Sequence, residues 1–127
     1  MGIDLFGLML QAENVGTRLS ASIGIDISED QINFAKNKLG LDCVFRSDAA
    51  TWLENDEKKY DVIFCLDVLE HLELNDLIKI TGLISKSLKT EGILIIQVPN
   101  SISPFSPVFH GDLTHKRAFT VSSLKQL

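Results

Sequence analysis

The chain has 127 residues, enough for one domain of ordinary size and too few for two. Hydrophobic residues make up 45% and charged residues 23%, the balance of a globular protein rather than a disordered one. A net charge of −5 and a pI near 5.1 argue against a nucleic-acid phosphate backbone as partner, and no stretch reaches the roughly 18 consecutive apolar residues of a membrane span.

The start, "MGIDLF", lacks the basic region and apolar core of a secretory signal, and Phe6 stands where myristoylation needs Ser or Thr. A cytoplasmic location is the expectation. Cys43 and Cys65 fall in predicted strands without a paired spacing, so they read as buried reduced thiols rather than a disulfide or metal pair.

In chain order, "SASIGIDIS" is a short β-rich run ending at Asp26. "SEDQINFAKNKLG" follows with Ser28 as cap and Gln31 three residues on, a capping-box pattern. Glu29 and Asp30 lie in its first turn and Lys36 and Lys38 in its last, complementing the helix dipole. Ile32, Ala35 and Leu39 give one apolar face, and Gly40 ends the helix. "LDCVFRSD" predicts a second strand and "AATWLENDEKK" a short helix. "YDVIFCLDV" is apolar nearly throughout, as a strand buried on both faces should be. Asn75 is placed to cap a helix with Leu77, Ile80, Ile84 and Leu88 at helical spacing, ended by "KTEG". "GILIIQVPN" reads as a further buried strand stopped by Pro99, "SISPFSPVFHGDLTHKRAF" as a long loop, and "TVSSLKQL" as the opening of a helix. Strands and helices alternate, which predicts an α/β fold with a parallel sheet and right-handed crossovers. Ligands of such sheets sit beyond the carboxyl ends of the strands.

Three predicted strands end in an acid there: Asp26, Asp48 and Asp67. An acid at such a place is as often a helix cap as a ligand, and Asp48 alone carries no argument. Asp26 differs, because Ser28 is available as the cap, so its carboxylate can accept both hydroxyls of a ribose.

"GIDIS" with its helix, "SDA", "YDVIFCLDVLEHL" and "LKTEGILIIQVPN" together resemble the class I S-adenosylmethionine-dependent methyltransferases. Each motif is weak singly and the series is specific; "GIDIS" alone also fits a nicotinamide dinucleotide enzyme. The resemblance implies a Rossmann-like parallel sheet with flanking helices, of methyltransferase type, in one partial domain over residues 1–127. It implies that Asp26 holds the cofactor ribose and Ile27 packs on the adenine. Asp48 and the N–H of Ala49 would meet the adenine amino edge, and Leu66 and Asp67 would line the methionine side. Glu70 and His71 would begin the segment over the transfer site. His71 has the chemistry of a general base and is the catalytic candidate, although a histidine ordering the loop by hydrogen bonding fits too. Members of this branch that act on glycans and small metabolites often carry an "H…THxR.F" segment, which makes His110, His115 and Arg117 acceptor-side residues. His110, Asp112 and His115 also form a facial-triad composition. Since all three lie in one loop with no ligand-bearing strand opposite, no metal is expected.

The family opens with a strand and a glycine-rich turn. Here Gly2 resembles the last glycine of that turn, so the first strand and the last two strands are expected to be missing. A missing central strand would expose the edges of its two neighbours and favour self-association. Alternatively, "IDLFGLML" fills the gap as a strand. Lacking both the glycine turn on the methionine side and the central strand, this chain alone is expected to bind the cofactor weakly or not at all. The expected acceptor is a small molecule or glycan, with no nucleic acid or membrane. A partner subunit without catalysis, and a dinucleotide-dependent oxidoreductase, remain as other readings.

Overall fold

The computed structural model describes residues 22–100 and 115–127, together with the backbone of 7–11. Its elements in chain order are β1 (Gly7–Gln11), β2 (Ser22–Asp26), α1 (Glu29–Leu39), β3 (Val44–Arg46), α2 (Ala49–Asn55) and β4 (Tyr60–Leu66). After a 3₁₀ turn (Leu69–His71) come α3 (Leu74–Ser87), β5 (Leu88–Gln97) and α4 (Val121–Leu124). The strands form one sheet in the order β3-β2-β1-β4-β5.

Four of the five strands are parallel, as the alternating pattern predicts: β2 pairs with β3 and β4 with β5. The fifth corrects the expectation of an empty central slot. β1 lies between β2 and β4 and runs antiparallel to both, with Leu8 opposite Ile25 and Cys65, and Gly7 opposite Leu66. "GLMLQ" thus supplies ladder partners to two strands that would otherwise bury unpaired N–H and C=O groups. The edges expected to drive self-association are paired within the chain, so that expectation loses its basis. Among the described residues no strand follows β5.

The caps follow the sequence closely. Ser28 accepts the Gln31 amide at 3.4 Å, and Gly40 closes α1 in the left-handed region at φ 66°, where a side chain would be strained. Thr120 and Ser123 form a reciprocal capping box around α4. Two boundaries differ from expectation. α3 starts behind Glu73, which makes no side-chain cap bond, rather than behind Asn75. "KTEG" belongs to β5, which begins at Leu88 beside Tyr60 and shifts register before Val62.

The main core lies on the face of the sheet covered by α2 and α3. There Ile25, Ile63 and Cys65 meet Leu53, Leu77, Ile80, Ile84, Leu69 and Phe119. The alternation along β2 and β4 that aims these side chains at one face is the period of two of a strand. Each fully buried Ile or Leu contributes about 1.5–3 kcal/mol. A smaller cluster of Ile32, Ala35 and Val44 holds α1. Cys43 and Cys65 form no disulfide, and burial pushes the Cys65 thiol up to about 12, with Glu70 and Asp67 adding to the shift. No described helix is long and apolar enough to cross a membrane.

Candidate active site

The chain runs outward from β2 to β3, then returns past β2 and β1 to β4. The order reverses between β2 and β4, and in open α/β sheets the ligand crevice lies beyond the carboxyl ends at such a reversal. Asp26 ends β2 on one side of it and Leu66 ends β4 on the other. Because β1 is antiparallel, it brings its first residue, Gly7, to the same rim beside Leu66.

Asp26 divides its carboxylate. Oδ1 accepts the Ser28 amide at 2.6 Å, so this side chain is less free than the Ser28 cap suggests. Oδ2 is buried and has no hydrogen-bond partner. Burial raises the carboxyl above its ordinary range, and the Ser28 N–H partly offsets this. Ile27, next in the chain, is 70% exposed, a large apolar side chain on the open side of the rim. Arg46 fixes the backbone there, donating from Nε to the Ile27 carbonyl at 3.2 Å and pairing with Glu29 at 3.0 Å.

Asp48 is a helix cap: Oδ2 accepts both the amide and the hydroxyl of Thr51, at 2.9 and 3.0 Å. With Ala49 it lines a cavity of about 270 Å³ whose other walls include Val68, Leu72 and Lys79. That cavity lies between α2 and α3 and does not extend to Asp26 or Asp67. Asp67 adopts a left-handed backbone conformation, φ 50°, uncommon outside glycine, and its Oδ2 accepts the Gln97 side-chain amide at 2.7 Å. Such backbone outliers gather at functional sites.

Beyond β4 the 3₁₀ turn presents Glu70 and His71. Glu70 is 1% exposed, and neither carboxylate oxygen has a hydrogen-bond partner. The Nε2 atoms of His71 and His115 each stand 4.0 Å from the same oxygen, Oε1. The two imidazoles meet edge to face with centroids 4.8 Å apart. Burial raises the Glu70 carboxyl most; the residue's own backbone N–H, close by but short of hydrogen-bond geometry, partly offsets this, Asp67 raises it further, and the two histidines pull it down. The backbone joins these parts, since the Glu70 carbonyl accepts the amides of Lys116 and Arg117 at 2.8 and 3.1 Å. Arg117 follows directly, its Nε buried without a hydrogen-bond partner.

Asp26, Ile27, Asp48, Ala49, Leu66 and Asp67 therefore share one rim, and His71, His115 and Arg117 gather at its β4 end. Gly2 and His110 lie outside the described residues. Gln97 beside Asp67, and the placing of Glu70 between two histidines, were not legible beforehand. The one sequence signal for Glu70 is an acid set among apolar residues in "VLEHL".

The sheet is Rossmann-like, and an acid with one unsatisfied carboxylate oxygen stands at its switch point. A family model described as a methyltransferase domain matches residues 4–125, and the chain belongs to that family, the class I methyltransferases its motifs resemble. A crystal structure of a SAM-dependent methyltransferase from Archaeoglobus fulgidus is similar with a TM-score of 0.72 at 32% identity, covering 82% of this chain and 47% of that one. An S-adenosylmethionine-dependent methyltransferase from Clostridium acetobutylicum is similar with a TM-score of 0.52 at 28% identity, over 60% of this chain and 32% of that one. The chain thus spans about half or less of the length of these relatives. No curated protein matches.

Proposed function

We propose that the rim binds S-adenosylmethionine and that the chain serves methyl transfer to a small-molecule or glycan acceptor. The observation that carries this is the buried Oδ2 of Asp26, which has no donor from the protein at the place where a ribose hydroxyl would supply one. Asp26 takes the ribose hydroxyls, exposed Ile27 covers the adenine, Asp48 and the Ala49 amide meet its edge, and Leu66 and Asp67 face the methionine part. Gly2 belongs with them on the methionine side. Bound there, the cofactor supplies a methyl group made electrophilic by a sulfonium. The protein's part is mainly to position the acceptor, since this displacement depends on alignment above all. His71, partly exposed beside the rim, is the base for an acceptor that must lose a proton. His110, His115 and Arg117 orient the acceptor, the guanidinium favouring a polar or anionic one.

Weak or absent binding was expected from an open central slot and from a missing glycine turn, and β1 removes the first of these grounds. Calorimetry with S-adenosylhomocysteine tests the reading. The chain is expected to bind, and Asp26→Ala to bind roughly 10- to 150-fold more weakly, the loss of about 1.5–3 kcal/mol for a hydrogen bond to a charged group. Equal affinity in the variant, or no binding by the unaltered chain, overturns the assignment.

A further inference from the structure

We propose that Glu70, His71 and His115 form a site for one divalent transition-metal ion of the zinc class. One ligand atom from each lies within 4.8 Å of the others, and both imidazole Nε2 atoms face a single carboxylate oxygen at 4.0 Å. That separation is too long for hydrogen bonds between them. It is close to what a metal shell needs, because ligands about 2.0–2.2 Å from zinc stand roughly 3.3–3.5 Å apart. Side-chain shifts of about half to one ångström close the gap.

Electrostatics favours the same occupant. A carboxylate 1% exposed with both oxygens lacking hydrogen bonds is costly to hold unless a cation compensates it. The chain offers no fixed cation for this among the described residues. Lys116, the nearest lysine in sequence to His115, turns instead to Glu73 at 3.0 Å, and no arginine or lysine pairs with Glu70. A divalent ion would meet Glu70 Oε1 and both imidazoles at once.

The ligands are also held in advance. Glu70 and His71 are neighbours on one 3₁₀ turn, and the segment bearing His115 is clamped to that turn by the two amides on the Glu70 carbonyl. Two imidazoles and one carboxylate suit zinc, cobalt or iron better than magnesium or calcium, which take mostly oxygen. Glu70 and His115, at 5% exposure, close the site from the protein side, while His71, at 29%, leaves its outer flank open. Three protein ligands with an open position is the arrangement of reactive rather than purely structural zinc sites. This grouping differs from the loop triad of His110, Asp112 and His115 that the sequence suggests and argues against. It draws on nothing at the Asp26 rim, so it stands or falls apart from the cofactor assignment; with an ion bound, His71 and His115 act as its ligands in place of the base and acceptor-orienting roles given to them above.

The test uses the untagged full chain, stripped with a chelator and titrated with Zn²⁺ and with Co²⁺. One ion per chain is expected, with visible d–d absorption from Co²⁺ and no thiolate charge-transfer band. Glu70→Gln, which keeps shape and removes charge, should weaken binding by more than about 100-fold, beyond the loss of an outer-sphere partner. Cys43→Ser should leave stoichiometry unchanged. Should Glu70→Gln fail to fold by circular dichroism, His71→Gln, at the open flank, decides with the same expected loss. Absence of binding, or binding unaltered in these ligand variants, overturns the site.

Discussion

Asp26 Oδ1 takes the Ser28 amide while Oδ2 is buried without a donor, so the ionised side chain is held at a cost. Its carboxyl is raised by burial, which means the folded protein binds this proton more tightly than the unfolded chain does. The contribution of the group to stability is therefore greatest below its ordinary value of 3.8 and is lost as pH rises through the raised folded value. Asp26→Asn keeps an acceptor for Ser28 and removes the charge. It should stabilise the cofactor-free protein by about 1 kcal/mol at neutral pH, the low end for an unpartnered polar atom. The gain should disappear as the pH approaches 3.8, as urea unfolding at the two pH values would show. A gain equal at both would mean that charge is not the cause. Asp26 and its helix cap were legible because both depend on neighbours within a few residues. Glu70 was named in sequence only as part of "EHL". Its setting depends on Lys116 and Arg117, brought back to it by tertiary structure, and no local pattern encodes that return.

At the scale of elements, two glycines near the α3–β5 junction have opposite meanings. Gly82 lies inside α3 with nothing within 4 Å of the place a Cβ would take, so Gly82→Ala should raise stability by about 0.5–1 kcal/mol. Gly92 lies in β5, where a Cβ would stand 3.0 Å from the carbonyl oxygens of both Lys89 and Tyr60. Gly92→Ala should lower stability by about 1–3 kcal/mol, the usual cost of overpacking. Urea midpoints of the two variants check both signs, and a loss at Gly82 or a gain at Gly92 would contradict the packing described. The spacing of Leu77, Ile80 and Ile84 announced α3 correctly. "KTEG" misled because its glycine resembles a helix stop, while here it serves the close approach of β5 to β4 at a register shift. Helix-terminating and close-packing glycines look alike in one sequence.

At the scale of the whole molecule, parallel direction and helix layers followed from the alternation of apolar runs and amphipathic segments. The direction of β1 did not. "GLMLQ" carries no polarity signal, and an antiparallel neighbour satisfies the ladders of β2 and β4 as a parallel one would. What the arrangement preserves is the rim at the switch point, with Asp26, Asp48 and Asp67 at its strand ends. The most direct measurement is a map of amide chemical shifts in the ¹⁵N-labelled chain as S-adenosylhomocysteine is added. Perturbations are expected at Asp26 to Ser28, Asp48 and Ala49, and Leu66 and Asp67, with Ser22, Tyr60 and Leu88 at the opposite ends of the strands unmoved. Shifts centred on those opposite ends, or none at saturating ligand, would contradict a cofactor site on this rim.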